Sequence, residues 1–520
     1  MNYSKTREPS IYLGMFGLML GMFLAMLDGL IVGTALPTIV GDLGGLNHLS
    51  WVVTAYLLTT AATTPIWGKI GDLYGRKGSF IAAILVFLIG STLAGLSQDM
   101  GQLIAFRAVQ GLGAGGLMVG ALSIISVLVP PRDSGRVQSM VGAMLPVAFI
   151  GGPLLGGLLT DQLSWRWTFY VNVPLGAIAL LIVATRIRLR TERIKARIDF
   201  LGAGLLTTGI VALTLMASWG GVDYAWASPQ ILALGAVAVA ALAGFGYAER
   251  RAEEPVIPPR LFGSRNFTLA QLLSFLVGAV MLTVTNYLPQ YLQYVQGTSP
   301  TVSGMLLLPL LFGMLFAQLT TGRLISRNGH YRVYPILGGA MMVAGGLLLM
   351  LLDVGTGTAV ASALTVVTGI GMGLLMQCTL LITMNSADAR DMGAASGTVT
   401  LVRTIGGTLG VALLGAVYTG RLAGDLTDRL GSEAAHQLVS GGEMTPAYLR
   451  GLSAPVRDAV HAAVTSGLHG ILIGTAVLSA IAFAAAWLIR EVPLRTEIPA
   501  SAATTQDAAR PVLTPVGKVD

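Results

Sequence analysis

Gly111-Leu-Gly-Ala-Gly-Gly-Leu-Met118 recurs in the second half of the chain as Gly369-Ile-Gly-Met-Gly-Leu-Leu-Met376. Two further strings recur in the same order, at separations of 254 to 258 residues: Arg132-Asp-Ser-Gly135 as Arg390-Asp-Met-Gly393 and, more weakly, Gly68-Lys69 as Gly322-Arg323. The sequence therefore predicts two halves that share one internal architecture.

The glycines of the first string, Gly111, Gly113 and Gly116, also match the spacing of a dinucleotide-binding loop. No strand precedes them, their surroundings are apolar, and the second copy loses the third glycine. We therefore interpret both copies as small-residue faces that allow helices to pack closely.

The composition is that of a membrane protein. Only 11% of the residues are charged and the mean hydropathy is +0.73, whereas a soluble domain has about 25% charged residues. Apolar runs of about 18 to 25 residues indicate spanning helices. The sequence predicts an all-α integral membrane protein with 14 transmembrane helices, near residues 12–35, 51–70, 79–97, 103–129, 137–159, 168–185, 200–219, 230–248, 268–290, 302–321, 334–352, 358–383, 397–418 and 467–489.

Basic residues set the orientation of these helices. With the N-terminus in the cytoplasm, 25 of the 32 Lys and Arg residues fall in cytoplasmic segments. The reverse orientation would place the basic cluster at 186–197 outside, against the positive-inside rule. We therefore expect both termini inside. The net charge of +7 is then a signal for orientation and for contact with lipid headgroups, and not for nucleic acid.

The repeat pairs the first six spans with the last six and leaves two central helices as an insertion. The predicted parts are an N-terminal six-helix bundle at 1–190, inserted helices with linkers at 191–260, a C-terminal six-helix bundle at 261–495 with an external loop at 419–466, and a disordered cytoplasmic tail at 496–520. Two repeated bundles around a central cavity are the architecture of alternating-access transporters.

Other classes of protein lack support in the sequence. One cysteine, Cys378, allows no intramolecular disulfide, and the five histidines show no metal-ligand spacing. There is no HExxH motif, no Walker loop and no convincing Ser/His/Asp grouping. We therefore expect no enzymatic activity, no metal and no cofactor. The first apolar run is too long to be a cleavable signal peptide.

Asp28 is an acidic residue inside the first apolar run. A carboxylate at bilayer depth costs roughly 2.5–3.5 kcal/mol, and proteins usually retain one to bind a proton, an ion or a substrate. Arg107 lies in the fourth run at a similar depth, roughly 7–11 Å below the outer edge, and Asp28 is its available partner. Two interpretations remain: proton coupling, which we favour, and a static ion pair that holds two helices together.

Five strings carry a family resemblance. Gly68-Lys-Ile-Gly-Asp-Leu-Tyr-Gly-Arg-Lys77 resembles the signature loop of the major facilitator superfamily, and Leu103-Ile-Ala-Phe-Arg-Ala-Val-Gln-Gly111 resembles the fourth-helix motif of that superfamily. Gly151-Gly-Pro-Leu-Leu-Gly-Gly157 resembles the antiporter motif of its exporters. Leu27–Pro37 and Trp165–Pro174 are similar to strings of the fourteen-helix drug:proton antiporter subfamily.

This resemblance implies a proton-coupled antiporter that exports lipophilic drugs or antibiotics across the cytoplasmic (inner) membrane by alternating access, with the proton gradient as energy source. It implies three groups of residues: Asp28 and Arg107 for proton coupling; Gly68, Asp72, Gly75, Arg76 and Lys77 for a cytoplasmic gate; and Gly152, Pro153, Gly156 and Gly157 for an antiporter motif that prevents proton leakage. One departure is that Val302–Thr321 lacks the further acid found in some relatives.

Asp72, in the loop after the second span, and Arg403, near the inner end of the span at 397–418, each lead to a specific expectation. Asp72 is expected to cap the helix that begins near Gly393–Gly397, because an anion is stabilised at a helix N-terminus. Arg403 is expected to extend its side chain to the cytoplasmic interface and not to take part in chemistry.

The substrate cavity is expected between the two bundles. Soft apolar side chains with a few polar ones suit varied lipophilic cargo, although each such residue taken alone is more often packing. The candidates are Met26, Trp51, Tyr56, Asn286, Gln290, Met314, Phe316 and Gln377.

Expected partners are small lipophilic substrates, protons and membrane lipids, with the protein acting as a monomer. A dedicated exporter of one metabolite, such as a self-made antibiotic or an amino acid, would share every motif above. An integral membrane enzyme would need a reactive site that the sequence lacks. A passive channel would have no need of Asp28 beside Arg107.

Overall fold

The computed structural model describes residues 8–43, 49–129, 131–187, 189, 199–221, 224–433 and 453–494. Within these ranges the chain forms helices, turns and loops, together with one isolated β-bridge between Gly220 and Tyr224. The predicted tail at 496–520 and most of the linker before residue 200 lie outside the described residues.

The helices follow the predicted spans along the chain. The first half contains α1 (Glu8–Leu43), α2 (Leu49–Tyr74), α3 (Arg76–Leu96), α4 (Met100–Leu128), α5 (Pro131–Gln162), α6 (Trp167–Tyr170) and α7 (Asn172–Arg186). The inserted pair is α8 (Phe200–Trp219) and α9 (Pro229–Glu249). The second half contains α10 (Arg265–Tyr294), α11 (Pro300–Met305), α12 (Leu308–Asn328), α13 (Val333–Leu349), α14 (Thr358–Ser386), α15 (Met392–Leu430) and α16 (Ala454–Trp487). Two short 3₁₀ helices, Pro259–Gly263 and Ala389–Asp391, precede α10 and α15.

Most of these helices are long and apolar enough to cross a membrane. By length and composition, 11 helical segments in the described part of the chain qualify, and α13 is a shorter apolar helix. Helices α2 and α5 also coincide with predicted spans, but their sequences carry more polar residues. The protein is therefore a multi-pass membrane protein with an all-helical architecture.

Polar side chains fix where several helices begin. Asp99 accepts a hydrogen bond from the backbone N–H of Gln102 at the start of α4, and Asp199 accepts one from Gly202 at the start of α8. Side chains of this type satisfy backbone donors that have no partner within the helix. The turn residues between apolar runs thus set the boundaries of the spans.

The repeated glycine string packs the same way in both halves. In α4, a Cβ on Gly111 would overlap the carbonyl of Tyr56 in α2, and one on Gly113 would overlap the backbone of Phe87 in α3. In α14, a Cβ on the equivalent glycines would overlap the backbones of α12 and α13. Since the equivalent helices meet at equivalent glycines, the interpretation of these strings as packing faces is confirmed.

The two halves have separate hydrophobic cores. Buried apolar side chains between Met15 and Ile187 form one cluster, centred on α1, α3 and α4. Those between Ala270 and Leu494 form a larger one, centred on α10, α12, α14 and α16. A small third cluster joins the halves: it includes Leu206 of α8 and Leu401 of α15, and Ile66 of α2 packs against it.

The segment 419–466, expected as an external loop, is helical at both of its ends. Helix α15 continues to Leu430 and α16 already begins at Ala454, while residues 434–452 lie outside the described ranges. The extension of α15 is polar but helical, because Asp425 and Arg429 form an ion pair one turn apart at 3.0 Å. Gly431, with φ 84°, ends the helix.

Replacing Gly113 with alanine should destabilise the first bundle. The added Cβ would meet the backbone of α3, which cannot move aside without separating two helices, and overpacking of this kind costs about 1–3 kcal/mol. Thermal unfolding of the purified protein in detergent measures the loss. Gly204→Ala in α8 is the control, since a Cβ there meets nothing within 4 Å; equal effects of both changes would contradict the packing interpretation.

Candidate functional site

Asp28 is completely buried and lies at the centre of a polar network inside the first bundle. Its Oδ2 forms an ion pair with Nη1 of Arg107. Its Oδ1 accepts hydrogen bonds from Nε2 of Gln110 and from Nδ2 of Asn172, both at 2.8 Å. The carboxylate thus receives donors from α4 and from the start of α7, as an ionised, acceptor-only group needs in a dry interior.

Arg107 is held by more than its carboxylate partner. Nη1 also donates to Oε1 of Gln110 at 2.9 Å, and Nε donates to the carbonyl of Val52 at 3.1 Å. The guanidinium carbon lies 4.1 Å from the ring centroid of Tyr56, a cation–π distance. Two residues of α2 therefore help to hold the cation that α4 presents to Asp28.

A second layer of hydrogen bonds ties this network to neighbouring helices. Asn172 also donates to Oγ of Ser91 at 3.0 Å, and that hydroxyl donates to the carbonyl of Phe169 at 2.9 Å. The hydroxyl of Tyr56 donates to the carbonyl of Ala25 at 2.8 Å. Buried polar networks are stable only when their members find partners in this way.

The sequence singled out Asp28 and Arg107 but missed the roles of Gln110, Asn172 and Ser91. A signal was present for all three, because each is a hydrogen-bonding side chain inside an apolar run, and Gln110 and Asn172 stand within the quoted motifs. Depth alone did not show that Gln110 and Asn172 converge on one carboxylate, with Ser91 hydrogen-bonded to Asn172.

Helix α5 approaches the network through one glycine of the antiporter motif. A Cβ on Gly152 would lie 2.7 Å from Cβ of Leu30, so the two backbones are close only two residues after Asp28. The helix runs through Pro153, and Gly156 is buried. Gly157 makes no such close contact, since a Cβ there would meet no described atom within 4 Å.

Asp72 joins the two halves at the predicted cytoplasmic side. Its carboxylate accepts hydrogen bonds from the backbone N–H groups of Gly393 at 3.0 Å and Ala394 at 2.9 Å, at the start of α15. Nη2 of Arg76 lies 2.8 Å from the same carboxylate, whose side chain is 5% exposed. The predicted cap is therefore present, and the carboxylate stabilises the N-terminus of a helix that belongs to the other bundle.

The other residues of this loop support the same contact. A Cβ on Gly68 would lie 2.5 Å from the carbonyl oxygen of Gly393, so only glycine allows α2 and α15 to approach this closely. Gly75, with φ 103°, makes the turn into α3. Lys77 donates to the carbonyl of Ala184 at the end of α7, at 2.7 Å.

The linker between α9 and α10 adds contacts that the sequence did not reveal. Nζ of Lys69 forms an ion pair with Glu254 at 2.7 Å, and Arg260 forms a bidentate pair with Asp391 at 2.8 and 3.0 Å. The hydrogen bonds accepted by Asp391 raise the pKa of Arg260, so the guanidinium stays charged. Glu249 at the end of α9 accepts hydrogen bonds from two backbone amides of the linker. The inserted helices are thereby fastened to both sides of the α2–α15 contact.

The eight candidate cavity residues do not form one wall in this conformation. Tyr56, Met314 and Gln377 are packed inside the protein in this conformation, with exposures of 3%, 1% and 3%. Trp51 contacts Trp219 edge-on at 5.9 Å between ring centroids.

The remaining candidates are more accessible. Asn286 is exposed and donates to the carbonyl of Leu282 at 2.7 Å, and Phe316 is 63% exposed. Met26 and Gln290 are half-buried. These four, with Trp51, are the candidates whose side chains keep some exposed surface in this structure.

Comparison with known proteins places the chain in a family. The model of the Major Facilitator Superfamily matches residues 18–411. The chain belongs to this superfamily. Members are transporters, so the protein is a transporter and not an enzyme.

Several relatives within the superfamily are similar over most of the chain. An uncharacterized MFS-type transporter of Mycobacterium tuberculosis is 40% identical over 92% of this chain and 69% of its own length. The multidrug transporter protein MdtP of Bacillus subtilis is 38% identical over 80% of this chain and 76% of its own length. Multidrug resistance protein 3 of the same organism is 34% identical over 88% of this chain and 90% of its own length.

Solved structures share the fold. The proton:xylose symporter XylE aligns with a TM-score of 0.57 at 13% identity, over 91% of this chain and 95% of that one. The human organic anion transporter MFSD10 aligns with a TM-score of 0.56 at 15% identity, over 84% and 98%. At these identities the likeness concerns the major facilitator fold alone.

Asp72→Asn should slow transport without unfolding the protein. Asparagine keeps the size of the side chain but removes the charge that stabilises the N-terminus of α15, a loss of about 1 kcal/mol or roughly fivefold in the equilibrium between conformations. Initial transport rates in vesicles and the melting temperature are the two measurements. Asp425→Asn is the control, because it also removes an acid paired with an arginine one turn away, on an exposed surface. Unchanged transport by Asp72→Asn would mean that this contact does not control the gate.

Proposed function

We propose that this transporter is a proton-coupled antiporter that exports lipophilic drugs or antibiotics across the cytoplasmic (inner) membrane by alternating access. It has fourteen spanning helices with both termini in the cytoplasm. The observation that carries the proposal is the fully buried Asp28 paired with Arg107 in a membrane-embedded bundle. The names of two relatives, a multidrug transporter and a multidrug resistance protein, support the substrate class.

Protonation of Asp28 changes what holds α1 to α4. The ionised carboxylate attracts Arg107 and accepts two further hydrogen bonds. A proton from outside neutralises it, and the buried guanidinium loses its counter-charge, a change that costs about 3–5 kcal/mol when one partner of a buried pair is removed. The protein relieves this cost by rearranging the helices, so occupancy of the carboxyl by a proton selects between two conformations.

The inner gate controls access from the cytoplasmic side in the same transport cycle. With the proposed orientation, the contact of Asp72 with α15 closes the cytoplasmic side in the conformation described here. Opening that side requires the N-terminus of α15 to separate from Asp72. The ion pairs of Glu254 and Arg260 must then break or move with the helices that they join. Cargo then enters from the cytoplasm while the proton leaves Asp28.

A dedicated exporter of one metabolite remains the alternative, since it would use the same network and gate. A panel of dyes, antibiotics and amino acids tested with one preparation separates the two: several unrelated lipophilic substrates indicate a multidrug exporter, and a single substrate indicates the alternative.

Asp28→Asn should abolish uphill export. Asparagine keeps the shape and still accepts a hydrogen bond, but it cannot take up a proton, so the pH gradient no longer drives cargo. Drug accumulation in everted vesicles, with and without an uncoupler, should fall to the level of vesicles that lack the protein. The control is Asp42→Asn in the same helix, where Asp42 is exposed and accepts a hydrogen bond from Trp165. Full uphill pumping by Asp28→Asn that still consumes the pH gradient would refute proton coupling at this residue.

A further inference from the structure

Arg403 lies inside α15 (Met392–Leu430), within the predicted span 397–418. It stands six residues after the start of that span, roughly 9 Å along the helix, which places it inside a hydrocarbon core about 30 Å thick. Its side chain lies against α10: Cγ is close to Gly278, and Nε is 3.5 Å from Oγ of Ser274, one turn nearer the start of that helix. The extension of this side chain to the cytoplasmic interface stays a prediction.

The guanidinium of Arg403 lacks the partners that a buried cation needs. It forms no ion pair with any carboxylate in the described ranges, and the weak contact with Ser274 is its one hydrogen bond to a described residue. Ser274 in turn donates to the carbonyl of Val399 at 3.1 Å. The N–H groups on both terminal nitrogens of Arg403 thus have no hydrogen-bond acceptor among the described residues.

These N–H groups are not enclosed by protein. Arg403 is surrounded by protein, yet its side chain is only partly buried, and its terminal nitrogens are not among the enclosed polar atoms that lack a partner. The fully enclosed Arg107 shows the contrast, since its Nη2 is such an atom while its Nη1 has a carboxylate. Arg403 therefore presents a charged, hydrogen-bonding surface inside the transporter.

A packing role does not call for a cation at this position. The helix contact nearby is made by Gly406 and Gly407, whose Cβ atoms would overlap residues of α10. In the first half, Gly151 and Gly152 precede Gly406 and Gly407 by 255 residues. At the same offset, Ala148 corresponds to Arg403. The glycine contact is thus possible without an arginine, whereas an uncompensated charge at membrane depth is costly and is retained for function.

We propose that Arg403 binds an anionic group of the exported compound, with a carboxylate as the preferred chemistry. A guanidinium presents two parallel N–H donors that match the two oxygens of a carboxylate. The proposal rests on the proposed function and specifies its substrate class: lipophilic acids, whose apolar part occupies the cavity while the acid group pairs with Arg403. A cationic compound would be repelled from the same place.

The test compares two probes that differ only in charge, a dansyl-labelled fatty acid and its methyl ester. Both are titrated by fluorescence against the purified full-length protein in detergent. The wild type should bind the acid about tenfold more tightly than the ester, a difference of about 1.4 kcal/mol. Arg403→Gln should weaken binding of the acid by about the same factor and leave the ester unchanged, whereas Arg403→Lys should retain part of the preference.

Two controls keep the result specific. Arg421→Gln removes a charge from an exposed position of the same helix and should leave the preference intact. Should Arg403→Gln fail to fold, competition in the wild type replaces it: benzoate should displace the acid probe and benzyl alcohol should not. Equal binding of both probes by the wild type, equal weakening of both by Arg403→Gln, or failure of benzoate to compete would each overturn the proposal.

The outcomes separate this proposal from the proposed function. A preference for the acid in a protein that shows no proton-driven export would keep the anion site and reject the antiporter. Proton-driven export without any preference for the acid would do the reverse.

Discussion

The ion pair between Asp28 and Arg107 is the constraint on which the first bundle depends. Neither charge is stable alone in a dry interior, because desolvation outweighs what a single partner returns unless further hydrogen bonds complete the site. The protein supplies them from four helices: Gln110 from α4, Asn172 from α7, the carbonyl of Val52 from α2 and, at one remove, Ser91 from α3. Any change in the charge of Asp28 therefore alters contacts throughout the first bundle.

The two halves share their packing but not their charges. Equivalent glycines of α4 and α14 meet equivalent neighbours, so the backbone architecture is repeated. The position of Arg107 is taken in the second half by Thr365, which is buried and donates to the carbonyl of Ser362 at 2.6 Å. Arg403 occurs in the second half, where Ala148 stands in the first. The two halves therefore share a backbone architecture, but among the described residues the fully buried pair of Asp28 and Arg107 belongs to the first half and Arg403, which has no carboxylate partner, belongs to the second.

What the sequence predicted follows from energetic cost and from local pattern. Asp28 was identifiable because a carboxylate at bilayer depth is expensive, and the glycine repeat was identifiable because close helix contacts require small residues. The cap by Asp72 followed from the charge and from the neighbourhood of the two repeats. The ion pairs of the linker between α9 and α10 were not predictable. Lys69 and Glu254 are 185 residues apart, and the sequence does not distinguish them from ordinary surface charges. Burial of Met314 was missed because a methionine on a helix does not show which face is covered.

Helix α2 links the buried network to the inner gate. Near its start, Val52 and Tyr56 hold Arg107, and near its end Lys69 and Asp72 contact the linker and α15. The 16 residues from Tyr56 to Asp72 span roughly 24 Å of one helix, which contains Pro65 and so lacks one backbone hydrogen bond. An element that touches both places can carry a change from one to the other only if it has two discrete positions. The close backbone contact between Gly68 and Gly393 provides such a discrete choice, because two backbones at that distance either remain in register or separate. In the proposed mechanism, loss of the charge on Asp28 alters how Arg107 is held against α2 and, through that helix, the stability of the contact between Asp72 and α15.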